Sequence, residues 1–273
     1  MLQAIVTLQP TGDHNLFAKV VKGNKAGGVD SQYAAPGNLA NVASATFKAE
    51  EALSYEVGFK SYLLDGRLSF DVAVFRTDYE DLQVNSFNLV TNSFEVRNAG
   101  TSVSQGIELD TAWRPVEGMQ LNLSVAYLDA YYDSFPLASC TPEQAAAVPA
   151  PCFNDLSGEP TPFNSKWTGT AGAEYRFRVG GLSVTPRIDL SSRSDYNPTT
   201  NGDPLLDQSG FTLVDARIDF VPASERFTVG LFGKNLTDEI YTEFVGGAAF
   251  LNRVRPGDTG RARQFGIQAG IEF

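Results

Sequence analysis

The chain has 273 residues, with 21 Lys and Arg against 32 Asp and Glu, a formal net charge of −11 and a single histidine. This acidic balance, without any Lys/Arg-rich run, disfavours a nucleic-acid-binding protein. The lone His14 excludes a His-based metal cluster and a Ser-His-Asp triad. No phosphate-binding loop, catalytic carboxylate pair or nucleophile elbow is present, so we expect neither an enzyme nor a bound cofactor.

Alternation of apolar and polar residues with a period of two runs through almost the whole chain and predicts β-strands. It is clearest at the C-terminus, where Phe265, Ile267, Ala269 and Ile271 alternate with polar residues or glycine. We predict about eleven strands, at 2–9, 15–24, 51–64, 67–84, 92–113, 118–132, 164–179, 182–194, 210–221, 225–241 and 262–273.

The predicted strands and their connections favour a membrane-spanning barrel over a soluble sheet. Several strands exceed the usual ~5–6 residues and suit a tilted span of ~9–11 residues. Short turns at 65–66, 115–118, 180–181 and 222–224 alternate with long loops at 25–50, 133–163, 195–209 and 242–261, and a shorter loop lies near 85–91. This alternation is typical of outer-membrane barrels, which have tight periplasmic turns and long extracellular loops.

Side-chain placement along the strands is consistent with a barrel. Aromatic residues near the strand ends are expected to form the girdles at the membrane interfaces; the alternative is the core of a soluble β-sandwich. These aromatic residues are Trp113, Tyr127, Tyr131, Tyr132, Trp167, Phe177 and Tyr241. Opposite the apolar face, charged residues would line a wet barrel interior or a solvent face, and the sequence leaves both possibilities open. They include Glu56, Lys60, Glu108, Asp110, Glu174, Arg187, Asp189, Arg217 and Asp219.

Six segments, in the right order, resemble the C-terminal barrel of TonB-dependent outer-membrane receptors. They are 15–28, 50–69, 75–83, 98–109, 233–241 (Gly-Lys-Asn-Leu-Thr-Asp-Glu-Ile-Tyr) and 263–273, which ends on Phe273. The resemblance implies an all-β, antiparallel transmembrane barrel whose eleven strands are the C-terminal half of a 22-stranded one. It also implies a receptor for uptake of a ferric siderophore or a similar scarce nutrient.

The resemblance further implies partners and missing parts. A signal peptide, a TonB box and a plug domain are not visible in residues 1–273, so we expect a chain that lacks its plug domain and the N-terminal half of the barrel. The expected partners are those missing parts, TonB acting through them, outer-membrane lipid and lipopolysaccharide. The barrel assembly machinery would read Phe273 as an assembly signal. The alternatives are a complete small porin for passive diffusion, or a soluble β-rich binding protein.

The candidate site residues lie in the predicted extracellular loops. Cys140 and Cys152 are expected to form a disulfide that pins the loop 133–163, which places the chain in an oxidising compartment. Four aromatic residues either line a ligand vestibule or belong to a girdle; these are Tyr131, Tyr132, Phe135 and Tyr196. Arg253 and Arg255 either contact an anionic ligand or lipopolysaccharide phosphates, or are solvated loop charges. Acidic loop residues match no Ca²⁺-binding loop, so solvation is their expected role.

Overall fold

The computed structural model describes residues 2–30, 46–88, 93–148, 152–245 and 257–272. Its main element is one sheet in which eleven strands neighbour each other in chain order. The strands are β1 Leu2–Thr11, β2 His14–Lys25, β3 Glu50–Leu63, β4 Leu68–Glu80, β5 Thr101–Trp113, β6 Met119–Ser134, β7 Trp167–Tyr175, β8 Leu182–Arg193, β9 Phe211–Pro222, β10 Phe227–Lys234 and β11 Gln264–Ile271. The predicted all-β fold of about eleven antiparallel strands is confirmed.

The sheet is open at both edges within the described residues. There, β1 pairs only with β2, and β11 pairs only with β10. A short strand, Phe177–Val179, continues β7 along β8 after an interruption at Arg176. No helix in the described part of the chain is long and apolar enough to cross a membrane.

Connections alternate between short and long, so the two ends of the sheet differ. Residues 12–13, 64–67, 114–118, 180–181 and 223–226 make the short turns at one end. At the other end, the long connections carry small hairpins of their own. Those hairpins pair Gly28–Val29 with Thr46–Phe47, Gln83–Asn88 with Ser93–Asn98, Ala138–Ser139 with Phe153–Asn154, and Thr242–Val245 with Gly257–Thr259. One connection also holds the helix α1, Pro142–Ala147, which Thr141 caps.

The strand register divides the sheet into two faces, because successive side chains of a strand point to opposite sides. One ladder runs from Leu123 through Ala171 and Leu190 to Val214, and we call its side the apolar face. Ser124, Thr170 and Ser191 form the neighbouring ladder on the opposite side, the polar face. The apolar face leaves many large side chains uncovered, with Val57 at 58% and Ile267 at 74% exposure. An apolar surface of this extent indicates contact with lipid or with another protein.

Aromatic pairs bound the apolar face at both ends. Tyr127 packs against Trp167 at the end with the long connections, with ring centroids 4.9 Å apart. Tyr175 stacks on Phe177 at the turn end, at 5.7 Å. The eight residue steps from Trp167 to Tyr175 span ~27 Å along a strand, or about 20 Å of height at a ~40° tilt. This is close to the ~25 Å apolar band that aromatic girdles flank in outer-membrane barrels.

Four strand boundaries differ from the prediction, each because of local backbone geometry. The strand predicted at 225–241 ends at Lys234, since Asn235 and Asp238 have positive φ and Asn235 Oδ1 accepts from the Glu239 N–H. Asp81, also at positive φ, ends the strand predicted at 67–84, and the strand predicted at 92–113 divides after Asn98. The strand predicted at 164–179 is interrupted where the Arg176 N–H donates to the Gly118 carbonyl.

Candidate functional site

A cavity of about 620 Å³ lies at the end of the sheet that carries the long connections. Two of those connections, 135–166 between β6 and β7 and 194–210 between β8 and β9, supply most of its lining. The cavity lies at the edge of the polar face. Tyr132, which lines the cavity, is at the end of β6 and an even number of residues from Ser124, so the two side chains point to the same side of the sheet. This position makes it the candidate site for a ligand approaching the polar side of the sheet.

Hydrogen bonds hold the two connections together around the cavity. The Phe163 N–H donates to the Asn197 carbonyl over 2.8 Å. The Asn154 amide donates to the Asn201 carbonyl, and the Asn201 amide donates in turn to the Cys140 carbonyl, each over 3.2 Å. The cavity walls are therefore fixed to each other and do not depend on one loop alone.

Tyr132 and Phe135 form the buried support beneath the cavity. Their rings pack 4.9 Å apart, and their exposed fractions are only 2% and 1%. They belong to a cluster that also contains Val84, Ala99, Ala138 and Leu156. Tyr132 lines the cavity, whereas Phe135 stands behind it.

Tyr196 joins connection 194–210 to the connection between β10 and β11. Its backbone pairs with Gln208, and its hydroxyl donates to the Thr242 carbonyl over 3.0 Å. The Arg193 guanidinium carbon lies 3.9 Å from the centre of the Tyr196 ring, a cation–π contact. Tyr196 is 7% exposed and also lines the cavity.

The other predicted site residues lie elsewhere. Tyr131 points to the side of β6 opposite Tyr132, and its backbone bridges to Pro160. Arg253, Arg255 and Phe273 are outside the described residues. The structure thus brings together Tyr132, Phe135 and Tyr196, and ligand binding by any predicted site residue stays a prediction.

Asparagines also contribute to the cavity, and the sequence does not mark them as site residues. Asn164 is 8% exposed and donates from Nδ2 to the Ala130 carbonyl over 2.7 Å, while its Oδ1 has no hydrogen-bond partner in the described structure. Asn197 Nδ2 donates to Asp207 over 2.7 Å. The only sequence signal was a group of asparagines in two predicted loops, and such residues are ordinary in loops.

Four carboxylates surround the cavity: Asp155, Glu159, Asp195 and Asp207. All four are exposed, and Lys166 is the basic residue among the described lining residues. Hydrogen bonds from the Ser157 side chain and backbone lower the pKa of Asp155 below its ordinary value. Among the described residues, no group of three or more Asp, Glu, His or Cys side chains is arranged to hold a metal ion.

Cys140 and Cys152 are joined by a disulfide in the structure, with their Cα atoms 5.9 Å apart. The bond encloses helix α1 and lies in the first of the two cavity connections. Closing a loop of this length stabilises a protein by roughly 3 kcal/mol in the chain-entropy model.

Replacing both cysteines, as Cys140→Ser together with Cys152→Ser, should loosen this connection without unfolding the sheet. The unreduced parent protein should show no reactive thiol, and the variant should be cut by protease within 135–166 at least tenfold faster. Mass spectrometry of maleimide-labelled protein and timed proteolysis measure the two effects. Two reactive thiols in the unreduced parent would contradict the disulfide.

Charged residues on the polar face are organised by a repeated Arg-Ile-Asp sequence on neighbouring strands. Arg187 donates two hydrogen bonds of 2.7 Å to Asp189, and Arg217 does the same to Asp219. Gly230 faces the second pair, where an added Cβ would lie 2.5 Å from both the Arg217 and Asp219 side chains. Arg187 further reaches Glu174, and Arg217 reaches Gln268. These side chains form two groups, one across β7 and β8 and one across β9 to β11, and we call them together the polar network.

The sequence places the chain in a known family. The family model described as TonB dependent receptor-like, beta-barrel matches residues 3–236. The chain belongs to this family, whose members are barrels of the bacterial outer membrane. The apolar face is therefore the lipid face, and the polar face lines the barrel interior. Family membership also decides against the porin and soluble-protein alternatives.

Curated relatives and solved structures resemble the chain over most of its length. It is 28% identical over 241 residues to the metal-pseudopaline receptor CntO of Pseudomonas aeruginosa (strain UCBPP-PA14), covering 87% of this chain and 29% of that protein. It is 24% identical to the ferric-pyoverdine M114 receptor PbuA of Pseudomonas sp. (strain M114), covering 79% and 24%. The ferric yersiniabactin uptake receptor FyuA of Yersinia pestis shares its fold, with a TM-score of 0.74, 19% identity, and coverage of 99% and 37%. The chain thus spans well under half the length of these relatives.

Proposed function

We propose that residues 1–273 form the C-terminal part of the barrel of an outer-membrane receptor that takes up a ferric siderophore or a similar scarce metal chelate. The cavity between connections 135–166 and 194–210 would hold the ligand at the extracellular end. No bond is made or broken in this function; the barrel binds a ligand and encloses its path.

The observation that carries the proposal is a rigid, partly buried cavity at the mouth of the polar face of a TonB-dependent receptor barrel. Two of the relatives are receptors for metal-pseudopaline and ferric-pyoverdine, which favours a metal chelate as the ligand. Tyr132, Phe135 and Tyr196 would position the cavity walls, because all three are packed into the loop framework.

The proposed partners follow from the same function. A plug domain and the remaining strands of the barrel would contact the polar network and the open edges of β1 and β11. TonB would supply energy through the plug, lipopolysaccharide would surround the upper lipid face, and the barrel assembly machinery would recognise the C-terminal strand with Phe273. Arg253 and Arg255 remain candidate contacts for an anionic ligand or for lipopolysaccharide.

Deletion of the gene that encodes this chain should abolish uptake of one ferric chelate while leaving others unchanged. Accumulation of ⁵⁵Fe from a panel of purified ferric siderophores measures this in iron-limited cells, and a plasmid copy of the gene is the control for restoration. A tonB deletion should cause the same loss, with uptake reduced at least tenfold. Uptake that persists without TonB, or an unchanged panel after gene deletion, would overturn the proposal.

A further inference from the structure

We propose that Arg193 positions the two walls of the cavity, connections 135–166 and 194–210, so that they meet a ligand as one rigid surface. This inference rests on the proposed function and names a positioning residue for the same site. It is carried by the contacts of one guanidinium group with both walls, by a strained backbone that this group holds, and by the burial of its partners.

Arg193 stands where the sheet meets both connections. It is the last residue of β8, directly before connection 194–210, and it pairs with Thr168 near the start of β7, directly after connection 135–166. Thr168 is two residues from Thr170, so the Arg193 side chain lies on the polar face. Arg193 is half-buried, which indicates that its side chain packs against the connections instead of extending into the barrel interior.

The guanidinium of Arg193 contacts one wall through two hydrogen bonds and the other wall through an aromatic ring. Its Nε donates to Ser165 Oγ over 3.0 Å, and its Nη2 donates to the Phe163 carbonyl over 3.2 Å. Its central carbon lies 3.9 Å from the centre of the Tyr196 ring. A guanidinium combines planar stacking with donors in a fixed fork, whereas an ammonium is a compact point charge. The three contacts therefore require an arginine.

Phe163 has a strained backbone that Arg193 helps to hold. Its φ is +59°, in a region that bulky residues rarely adopt. Such a conformation persists only where the surrounding structure fixes it. The Phe163 N–H donates to the Asn197 carbonyl over 2.8 Å. The Phe163 carbonyl accepts from Arg193 and also from the Ser165 N–H, the latter over 3.1 Å. Loss of the guanidinium should therefore let residues 163–165 move away from connection 194–210.

Buried hydroxyl groups extend the contact between the walls. Ser165 is 3% exposed, and its hydroxyl accepts from Arg193 and donates to the Ser194 carbonyl over 3.0 Å. The Ser194 hydroxyl accepts in turn from the Trp167 N–H over 3.1 Å. Without the guanidinium, the Ser165 oxygen would be a buried acceptor that has lost its donor, which is unfavourable. Removing Arg193 should therefore loosen both connections together, because their hydrogen bonds form one network.

The effect of Arg193 on a ligand is indirect. Tyr196, which stacks on the guanidinium, and Asn164, which lies between its two hydrogen-bond partners, line the cavity. Arg193 is not among the described lining residues. It would act on affinity by fixing Tyr196 and Asn164, since a preorganised site loses less conformational entropy on binding. The expected defect is weaker binding by a receptor that is otherwise intact.

Hydrogen exchange in the detergent-purified receptor that carries this chain tests the positioning role. Arg193→Ala should accelerate amide exchange at least tenfold in both 161–166 and 194–199, with exchange in the strands unchanged. Arg193→Lys keeps the charge but not the fork, so both segments should still exchange at least threefold faster than in the parent protein. Mass spectrometry of peptides from these segments measures the rates.

The matched control is Arg76→Ala. Arg76 also lies in the half of its strand nearer the long connections, and it donates to Asp78 and Gln105. Its described hydrogen bonds reach neither wall, so exchange in both segments should change less than twofold. Acceleration in one segment alone, parent-like exchange in Arg193→Lys, or equal acceleration by Arg76→Ala would overturn the inference. Circular dichroism identifies misfolding, and if Arg193→Ala fails to fold, the exchange rates of Arg193→Lys decide.

Uptake kinetics distinguish positioning from a merely structural role. The probe is ⁵⁵Fe carried by the siderophore of the panel that the receptor takes up in iron-limited cells. Arg193→Ala should raise the KM at least fivefold and change the maximal rate less than twofold, because an equal number of receptors binds the chelate more weakly. A lower maximal rate with an unchanged KM would indicate fewer folded receptors and would contradict the inference. Failure of the proposed function would instead abolish TonB-dependent uptake of every chelate in the parent receptor and leave the exchange results unaffected.

Discussion

Exported to the outer membrane by itself, the 273-residue chain should yield no closed, heat-modifiable barrel. The described sheet has eleven strands, and both β1 and β11 have one edge without a neighbour. In lipid, each unpaired backbone N–H or C=O group on such an edge costs several kcal/mol, and β1 alone contains ten residues. The sum exceeds the ~5–15 kcal/mol stability of an ordinary folded domain.

Semi-native electrophoresis with and without heating measures this outcome, together with trypsin resistance in isolated outer membranes. A complete family member exported from the same vector is the positive control and should migrate faster before heating. A trypsin-resistant, heat-modifiable monomer of residues 1–273 would contradict the prediction. Closure by pairing of two copies would appear instead as a heat-sensitive dimer.

The sheet was predictable because each strand carries its own signal. In β8, the apolar residues Pro186, Ile188 and Leu190 alternate with Arg187 and Asp189, and the register places these two sets on opposite faces. The same period of two recurs in all eleven strands, so neither pairing nor distant contacts were needed to count them. Long and short connections then fixed which ends lie together, because neighbouring strands are antiparallel.

The turns that end strands were less visible. The alternation predicts a strand that runs through Asn235, but the positive φ of this residue and its hydrogen bonds with Glu239 and Arg261 make a turn there. Asp81 ends β4 in a similar way. Asn and Asp tolerate this backbone region better than other residues, yet they also occur within strands, so residue type alone does not separate the two cases.

The cavity could not be predicted, because its parts are brought together by contacts between loops. Asn154 and Asn201 are 47 residues apart in sequence, and Tyr196 and Thr242 are 46 residues apart. Aromatic residues in the loops suggested Tyr131, Tyr132, Phe135 and Tyr196 as a group. The directions of these side chains depend on which face of β6 each residue occupies and on how the loops pack. Tyr131 is on the opposite face from Tyr132 and therefore lies apart from the others.

Leu123→Arg should destabilise the receptor that carries these strands by about 2–4 kcal/mol. Leu123 lies on the apolar face of β6, between Thr111 and Ala171 and midway between the Tyr127 and Met119 levels. That position corresponds to the middle of the lipid band, where an arginine has no water and no acidic neighbour on its own face. Denaturant unfolding of the protein in lipid vesicles, followed by tryptophan fluorescence, measures the free energy.

Two matched arginine substitutions distinguish the effect of the face of the sheet from the effect of depth in the membrane. Thr170→Arg lies on the polar face, one residue from Ala171, and should cost under about 1 kcal/mol because its side chain enters the wet interior. Val179→Arg lies on the lipid face at the turn end, where the interface reduces the cost to about 0–1 kcal/mol. Thr170 lies directly opposite Ser124, the residue next to Leu123, so Thr170→Arg and Leu123→Arg place the charge at similar depth on different faces. Equal costs of the two substitutions would mean that the two faces are assigned to the wrong environments. A large cost at Leu123 alone requires lipid on one face and water on the other, which is the arrangement of a barrel wall.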